Sequence, residues 1–190
     1  MAVYTPVNQN ELQAFLSQYS VGELQSFTEI GDGIENSNYF VTLAASGGET
    51  KQLPQKTVLT LFENLEACEL PFFLHVMTWL ADRGFSVPAP LPRNDGAING
   101  MLKDKPAILV PCFSGRSIDN PTSSHLKSVG RFIARMHQAF EDCPQKRQPP
   151  RNMDWMREKE TRLSSVMPPS DMRYLSRSID HYERVKPKMD

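Results

Sequence analysis

The sequence predicts an α+β fold, and three observations carry that reading. Asn38 to Leu43 (NYFVTL) and Lys56 to Phe62 (KTVLTLF) are rich in β-branched and aromatic residues, as strands prefer. Helical periodicity brackets them, at Leu12, Phe15, Leu16 and Tyr19 before and at Phe73, Leu74, Met77, Leu80 and Ala81 after. From residue 121 onward the chain reads as wholly helical. Strands gathered in the first part and helices in the second imply an antiparallel sheet with segregated helices.

Each element has a local reason. Asn8 followed by Glu11 has capping-box spacing ahead of the first apolar face. Ser26 to Ile30 is a weak strand, and Ser46-Gly47-Gly48 begins a turn between the two stronger ones, so an antiparallel hairpin is expected. Glu69-Leu70-Pro71 opens the second helix, with proline tolerated in a first turn, and Gly84 closes it. After the proline-studded VPAPLP, Gly96 to Met101 and Pro106 to Cys112 read as a further strand pair. Pro121-Thr122-Ser123 then punctuates a helix whose stripe is Leu126, Val129, Ile133, Met136 and Phe140. Two more helices follow, from Met153 to Val166 and from about Ser170, the last with Met172, Leu175, Ile179 and Tyr182 on one face. The composition shift at residues 113–121 divides the chain into 1–112 and 113–190.

Composition excludes several function classes. A net charge of −1 gives no reason to expect nucleic acid or an anionic membrane as partner. No apolar run approaches the roughly 20 residues of a membrane-spanning helix, and the N-terminus lacks the features of a secretory signal, so a cytoplasmic location is expected. Cys68, Cys112 and Cys143 are widely spaced and odd in number, which fits reduced thiols better than a disulfide framework or a zinc site.

The most informative segment is Gly31-Asp32-Gly33-Ile34-Glu35-Asn36-Ser37-Asn38. Two glycines let a backbone approach phosphate closely, and amides with Asn and Ser side chains donate to anionic oxygens. The third glycine of GxGxxG is replaced by Asn36. A dinucleotide fold requires a helix after such a loop, whereas NYFVTL is a strand. Strand–loop–strand is the geometry of the glycine-rich flap that covers ATP phosphates in protein kinases. No GxxxxGK[ST] occurs. A glycine-rich turn that binds nothing is the plainer alternative.

Several segments taken together resemble one family: MAVYTPV with ELQAFL, GIENSNYFVTL, TVLTLFE, ELPFF leading to ADRG, VPAPLP, AILVPCFSGRS, VGRFIARMHQA and NMDWMR. In that order they are similar to the homoserine kinases of threonine biosynthesis, relatives of aminoglycoside phosphotransferases and choline kinases with a protein-kinase-like fold. The resemblance implies ATP- and Mg2+-dependent phosphorylation of the hydroxyl of L-homoserine. It makes residues 1–112 an N-lobe with nucleotide flap and hinge, and 113–190 the first part of a helical C-lobe. It places Gly33, Asn36, Ser37 and Asn38 over the phosphates and Pro111, Cys112 and Phe113 at a hinge beside the adenine. Thr60 falls at the strand position of a phosphate-contacting residue, Glu69 becomes a candidate partner for a phosphate-binding cation, and Arg116 a candidate for the substrate carboxylate.

Two departures follow from that comparison. Where related kinases often carry a strand Lys or Arg, this chain has Thr60, which leaves Lys51 or Lys56 to compensate. The catalytic base and the magnesium ligands of the family lie in a His-(Gly/Ala)-Asp loop and its sequel. Here His75, His125, His137 and His181 are followed two positions on by Met77, Lys127, Ala139 and Glu183. None of these begins such a loop. The motif is expected beyond Asp190, so these 190 residues alone are expected to be inactive. His137 is expected to be a packed core residue. Two alternatives stay open: a kinase of the same fold for an aminoglycoside or choline, and a non-catalytic nucleotide-binding pseudokinase module.

Overall fold

The computed structural model describes residues 3–31, 33–45, 55–65 and 68–185. The Ser46-Gly47-Gly48 turn and Lys51 lie outside them.

Helix α1 (Gln9–Leu16) starts as its sequence dictates. The Glu11 N–H donates to the Asn8 side chain at 3.0 Å, and the Asn8 N–H donates to the Glu11 carboxylate at 2.9 Å. Two otherwise orphaned donors are thereby satisfied. Three strands follow, β1 (Leu24–Glu29), β2 (Asn36–Leu43) and β3 (Lys56–Phe62), then α2 (Leu70–Asp82), β4 (Gly100–Leu102) and β5 (Lys105–Pro111). The five strands form one antiparallel sheet in the order β1-β2-β3-β5-β4. Strand β2 begins two residues earlier than its sequence pattern indicated, because Asn36 and Ser37 pair with Phe62 and Leu61.

The period-2 alternation of β2 and β3 sorts their side chains onto two faces. On one face Tyr39, Val41, Leu43, Leu59, Leu61, Ala107 and Leu109 pack against Leu12, Phe15 and Leu16 of α1. On the other, Ile108 and Val110, with Val58 and Phe62, pack against Leu70, Leu74 and Met77 of α2. The apolar stripe of α2 is turned slightly from the expected one, for Leu70 is buried and Phe73 is 40% exposed. Gly84 closes that helix at φ +75°, donating its N–H to the Ala81 carbonyl at 2.9 Å, a conformation that costs glycine nothing.

Beyond the sheet lie α3 (Ser123–Glu141), α4 (Met153–Leu163) and α5 (Pro169–Val185). Thr122 and His125 form a reciprocal cap at the start of α3. The stripe of α3 is present but open: Leu126 is 60% exposed and Val129 56%. His137 is exposed on this helix, so it is not the packed core residue its position implied. The chain condenses as two compact units, Met1–Gln145 and Lys146–Asp190. Within the second, α4 and α5 pack together, with Arg157 bridging Glu160, Asp180 and Glu183. All three cysteines are free. Among the described residues no helix is long and apolar enough to cross a membrane.

Candidate nucleotide site on the sheet

The α2-bearing face of the sheet is only partly covered, and cross-strand pairing orders what it presents. Asn36 stands opposite Phe62, Asn38 opposite Thr60, and Phe40 opposite Val58. The last two rows continue onto β5, where Thr60 faces Ile108 and Val58 faces Val110. Rows on one face are about 7 Å apart. A polar row therefore lies beside an apolar one, and the apolar row adjoins the end of β5.

Thr60 supplies no charge, but it fixes a neighbour. Its hydroxyl donates to Asn38 Oδ1 at 2.8 Å. Asn38 Nδ2 turns toward the Asn36 carbonyl, 3.4 Å away. The reverse orientation would set two acceptors, Oδ1 and that carbonyl, against each other. The amide donor thus looks to the loop, where Gly33 has φ +146° and a Cβ would meet Asn38 Nδ2 at 3.6 Å. A positive φ of this size is one that side-chain-bearing residues rarely adopt. Asp32 lies outside the described residues. A pocket of about 450 Å³ opens at this end of the face, lined by Glu35, Asn36, Phe62, Leu65, Phe73 and Met77 among others.

Ser37 is not part of this face. Alternation turns its side chain to the α1 side, where it is fully buried. Its hydroxyl accepts from the N–H groups of Tyr4 at 2.9 Å and Thr5 at 3.0 Å, and donates to the Glu63 carboxylate. The expectation that three successive side chains reach one ligand overlooked the strand period, which leaves Asn36 and Asn38 together and sends Ser37 through the sheet. Glu63 also accepts from Thr5 Oγ1 at 3.0 Å and pairs with Lys105 Nζ at 2.9 Å.

Burial pushes the Glu63 carboxyl up, but hydrogen bonds from Ser37, Lys105 and Thr5, with the Lys105 charge, outweigh it and hold the group below its ordinary 4.5. A carboxyl depressed on folding contributes stability above its unfolded value and loses it as pH falls through the folded one. Wild type is therefore expected to exceed Glu63→Gln by about 2 kcal/mol at neutral pH. The gap should close as pH drops below about 4.5. Thermal melts of both chains across that range check it, and a gap independent of pH would contradict the assignment.

The remaining predicted residues occupy distinct places. Pro111 and Cys112 are half-buried at the end of β5, and Phe113 is 54% exposed. Proline has no N–H, and the Cys112 N–H donates to the Lys56 carbonyl at 3.0 Å, extending the ladder by one bond. Lys56 lies with its Nζ 4.8 Å over the Phe40 ring, at the end of the face away from the loop. Sequence reasoning named Lys56 but missed Phe40 and Val58, although their parity with Asn38 and Thr60 was available. Glu69 is half-buried at the N-cap of α2 and makes no capping hydrogen bond there. Arg116 is exposed in the irregular segment after β5. Among the described residues, no group of three or more His, Cys, Asp or Glu could hold a metal ion.

Comparison with known proteins gives the family. The profile of the phosphotransferase enzyme family matches residues 26–178. The chain belongs to this family. Within it, a homoserine kinase of Cupriavidus necator is 39% identical over 181 residues, covering 95% of this chain and 53% of its own length. A homoserine kinase of Neisseria meningitidis serogroup B is 39% identical over 180 residues, covering 95% and 56%. The chain thus spans about half the length of the curated relatives it matches. Among solved structures, a spectinomycin phosphotransferase in complex with ADP and spectinomycin aligns with a TM-score of 0.65 at 16% identity, covering 98% of this chain and 60% of that one. An amicoumacin kinase in complex with AMP-PNP, Ca2+ and Ami aligns at 0.61 and 17%, covering 94% and 53%. These likenesses fix the fold, which is that of the protein-kinase-like phosphotransferases with a five-stranded antiparallel sheet.

Proposed function

We propose that this phosphotransferase-family chain is the nucleotide-binding portion of an ATP-dependent kinase acting on the hydroxyl of L-homoserine. The observation that carries the reading is the Asn38–Thr60 pair: an amide donor locked by its cross-strand partner and aimed at a glycine loop between two strands. On this reading the loop from Gly33 to Asn36, with Asn38, covers the phosphates. Phe40 and Val58 form an apolar shelf for the adenine, and the Phe113 amide reads the base edge at the hinge. Ser37 acts from behind the sheet, not as a donor to phosphate. Lobe division at residues 112 and 113 belongs to the same proposal. So does the placement of the catalytic base and the magnesium ligands outside these 190 residues, since no His-x-Asp loop occurs within them.

Support for homoserine comes from the names of relatives about 39% identical, and Arg116 is offered as the guanidinium that meets its carboxylate through a planar fork. Titrating a fluorescent ATP analogue into this chain is expected to give saturable binding, displaced by unlabelled ATP. Phosphorylation of homoserine, choline and an aminoglycoside should be assayed with the longest reading frame that contains these residues. Binding without turnover by the 190-residue chain, and turnover of homoserine alone by the longer frame, is the expected pair of results. Turnover by the short chain would refute the placement of the base.

A further inference from the structure

Residues 3–7, in the opening segment of the sequence, have no role in the site as described, yet they hydrogen-bond both to the loop and to the strand that follows it. Tyr4 Oη donates to the carbonyl of Ile34, within the loop itself, at 3.0 Å. One residue on, the Thr5 N–H joins the Tyr4 N–H on Ser37 Oγ, and the Thr5 hydroxyl reaches Glu63. Tyr39 Oη, directly behind the loop strand, donates to the Thr5 carbonyl at 2.9 Å and accepts from the Val7 N–H at 3.1 Å. Ser37 and Tyr39 are both fully buried.

We propose that residues 3–7 are a brace that sets the position of the 33–37 loop, with Tyr4 and Ser37 as its positioning residues; its effect on affinity rests on the nucleotide reading above. The physical logic is one of tethering. The loop is anchored at its C-terminal end by the β2 ladder, but Ile34 is 85% exposed. A short polar segment with an exposed apolar tip pays ordering entropy when it closes on a ligand. The Tyr4 hydrogen bond fixes the one carbonyl at its crest, and Ser37 gathers two arm amides onto a buried carboxylate that Lys105 neutralises. Because the arm approaches from the α1 side, it leaves the face with Asn36 and Asn38 unobstructed. Loop order is thus supplied in advance, from behind.

The test compares wild type with Tyr4→Phe, which removes a single hydroxyl, and with Ser37→Ala. Hydrogen exchange is read at the amides of Gly33, Ile34 and Glu35, with β3 amides as internal reference, and nucleotide affinity is measured by the fluorescent titration. Tyr4→Phe is expected to speed exchange at the loop about threefold and to weaken nucleotide binding by a similar factor, with β3 exchange and melting temperature unchanged. Ser37→Ala is expected to do more, about tenfold, with some loss of melting temperature because Glu63 and two amides lose their shared partner. Loop exchange unchanged in Tyr4→Phe overturns the brace whatever the affinity does. Faster loop exchange in a protein that shows no saturable nucleotide binding even as wild type upholds the brace and overturns the nucleotide reading instead.

Discussion

Replacing Asn38 by Asp is expected to weaken binding of an ATP analogue about 50-fold, against about tenfold for Asn38→Ala. The alanine variant loses one donor to an anion, an interaction worth about 1.5–3 kcal/mol. Aspartate loses that donor and adds a negative charge directly beneath the proposed phosphates, about 1 kcal/mol more at a solvated surface. Thr60 donates to the carboxylate as readily as to the amide, but the second carboxylate oxygen would face the Asn36 carbonyl; residue 38 is half-buried, so a modest loss of stability is expected rather than unfolding. Two controls separate charge from damage. Added salt should narrow the gap between the two variants, since it screens the repulsion and not the missing donor. Melting temperature should fall only by a few degrees, so that affinity is read on folded protein. Equal affinities for wild type and Asn38→Asp would end the assignment of this row to phosphate.

Gly22→Ala is expected to cost about 3 kcal/mol or more of stability, although no conformational argument for glycine applies there. The obstacle is space. A Cβ on residue 22 would lie 1.9 Å from the carbonyl oxygen of Ala44 and 2.9 Å from its carbon. Both are backbone atoms held by the Ala44 N–H to Glu23 carbonyl hydrogen bond at 2.8 Å, so no side-chain rotation relieves the overlap. The chain entering β1 must move off the end of β2. Denaturant melts measure the loss, and a ΔΔG below about 1 kcal/mol would show that this junction yields more easily than a paired strand end should. Gly31, with nothing within 4 Å of its Cβ position, is the matched control and should tolerate alanine sterically.

Much of the fold was legible because its signals are local. The Asn8 to Glu11 spacing became a reciprocal cap, and KTVLTLF became β3 with both ends in place. Pro71 fell within the first turn of α2, and Gly84 fell at its close. At the helix ends the deciding contacts lie within four residues, where capping chemistry acts, and in β3 the signal is the β-propensity and alternation of the residues themselves. The candidate site was legible in outline only. That the loop returns as a strand could be read from NYFVTL, but which of Asn36, Ser37 and Asn38 share a face depends on where β2 begins. Pairing with Phe62 and Leu61 moved that start back to Asn36. The Glu63 hub had no signal at all, because its partners Thr5, Ser37 and Lys105 are separated by tens of residues and meet only through the sheet.

By itself, then, the sequence determined the order and kind of the elements, the character of the glycine loop as a turn between strands, and the family. Tertiary structure alone decided which side of the sheet each polar residue serves, that Thr60 works by orienting Asn38, and that the N-terminal segment reaches the loop from behind. The reason is physical: helix caps and strand propensities are satisfied by near neighbours, whereas register and the docking of distant segments are settled only when hydrogen-bonding groups from several strands are buried together.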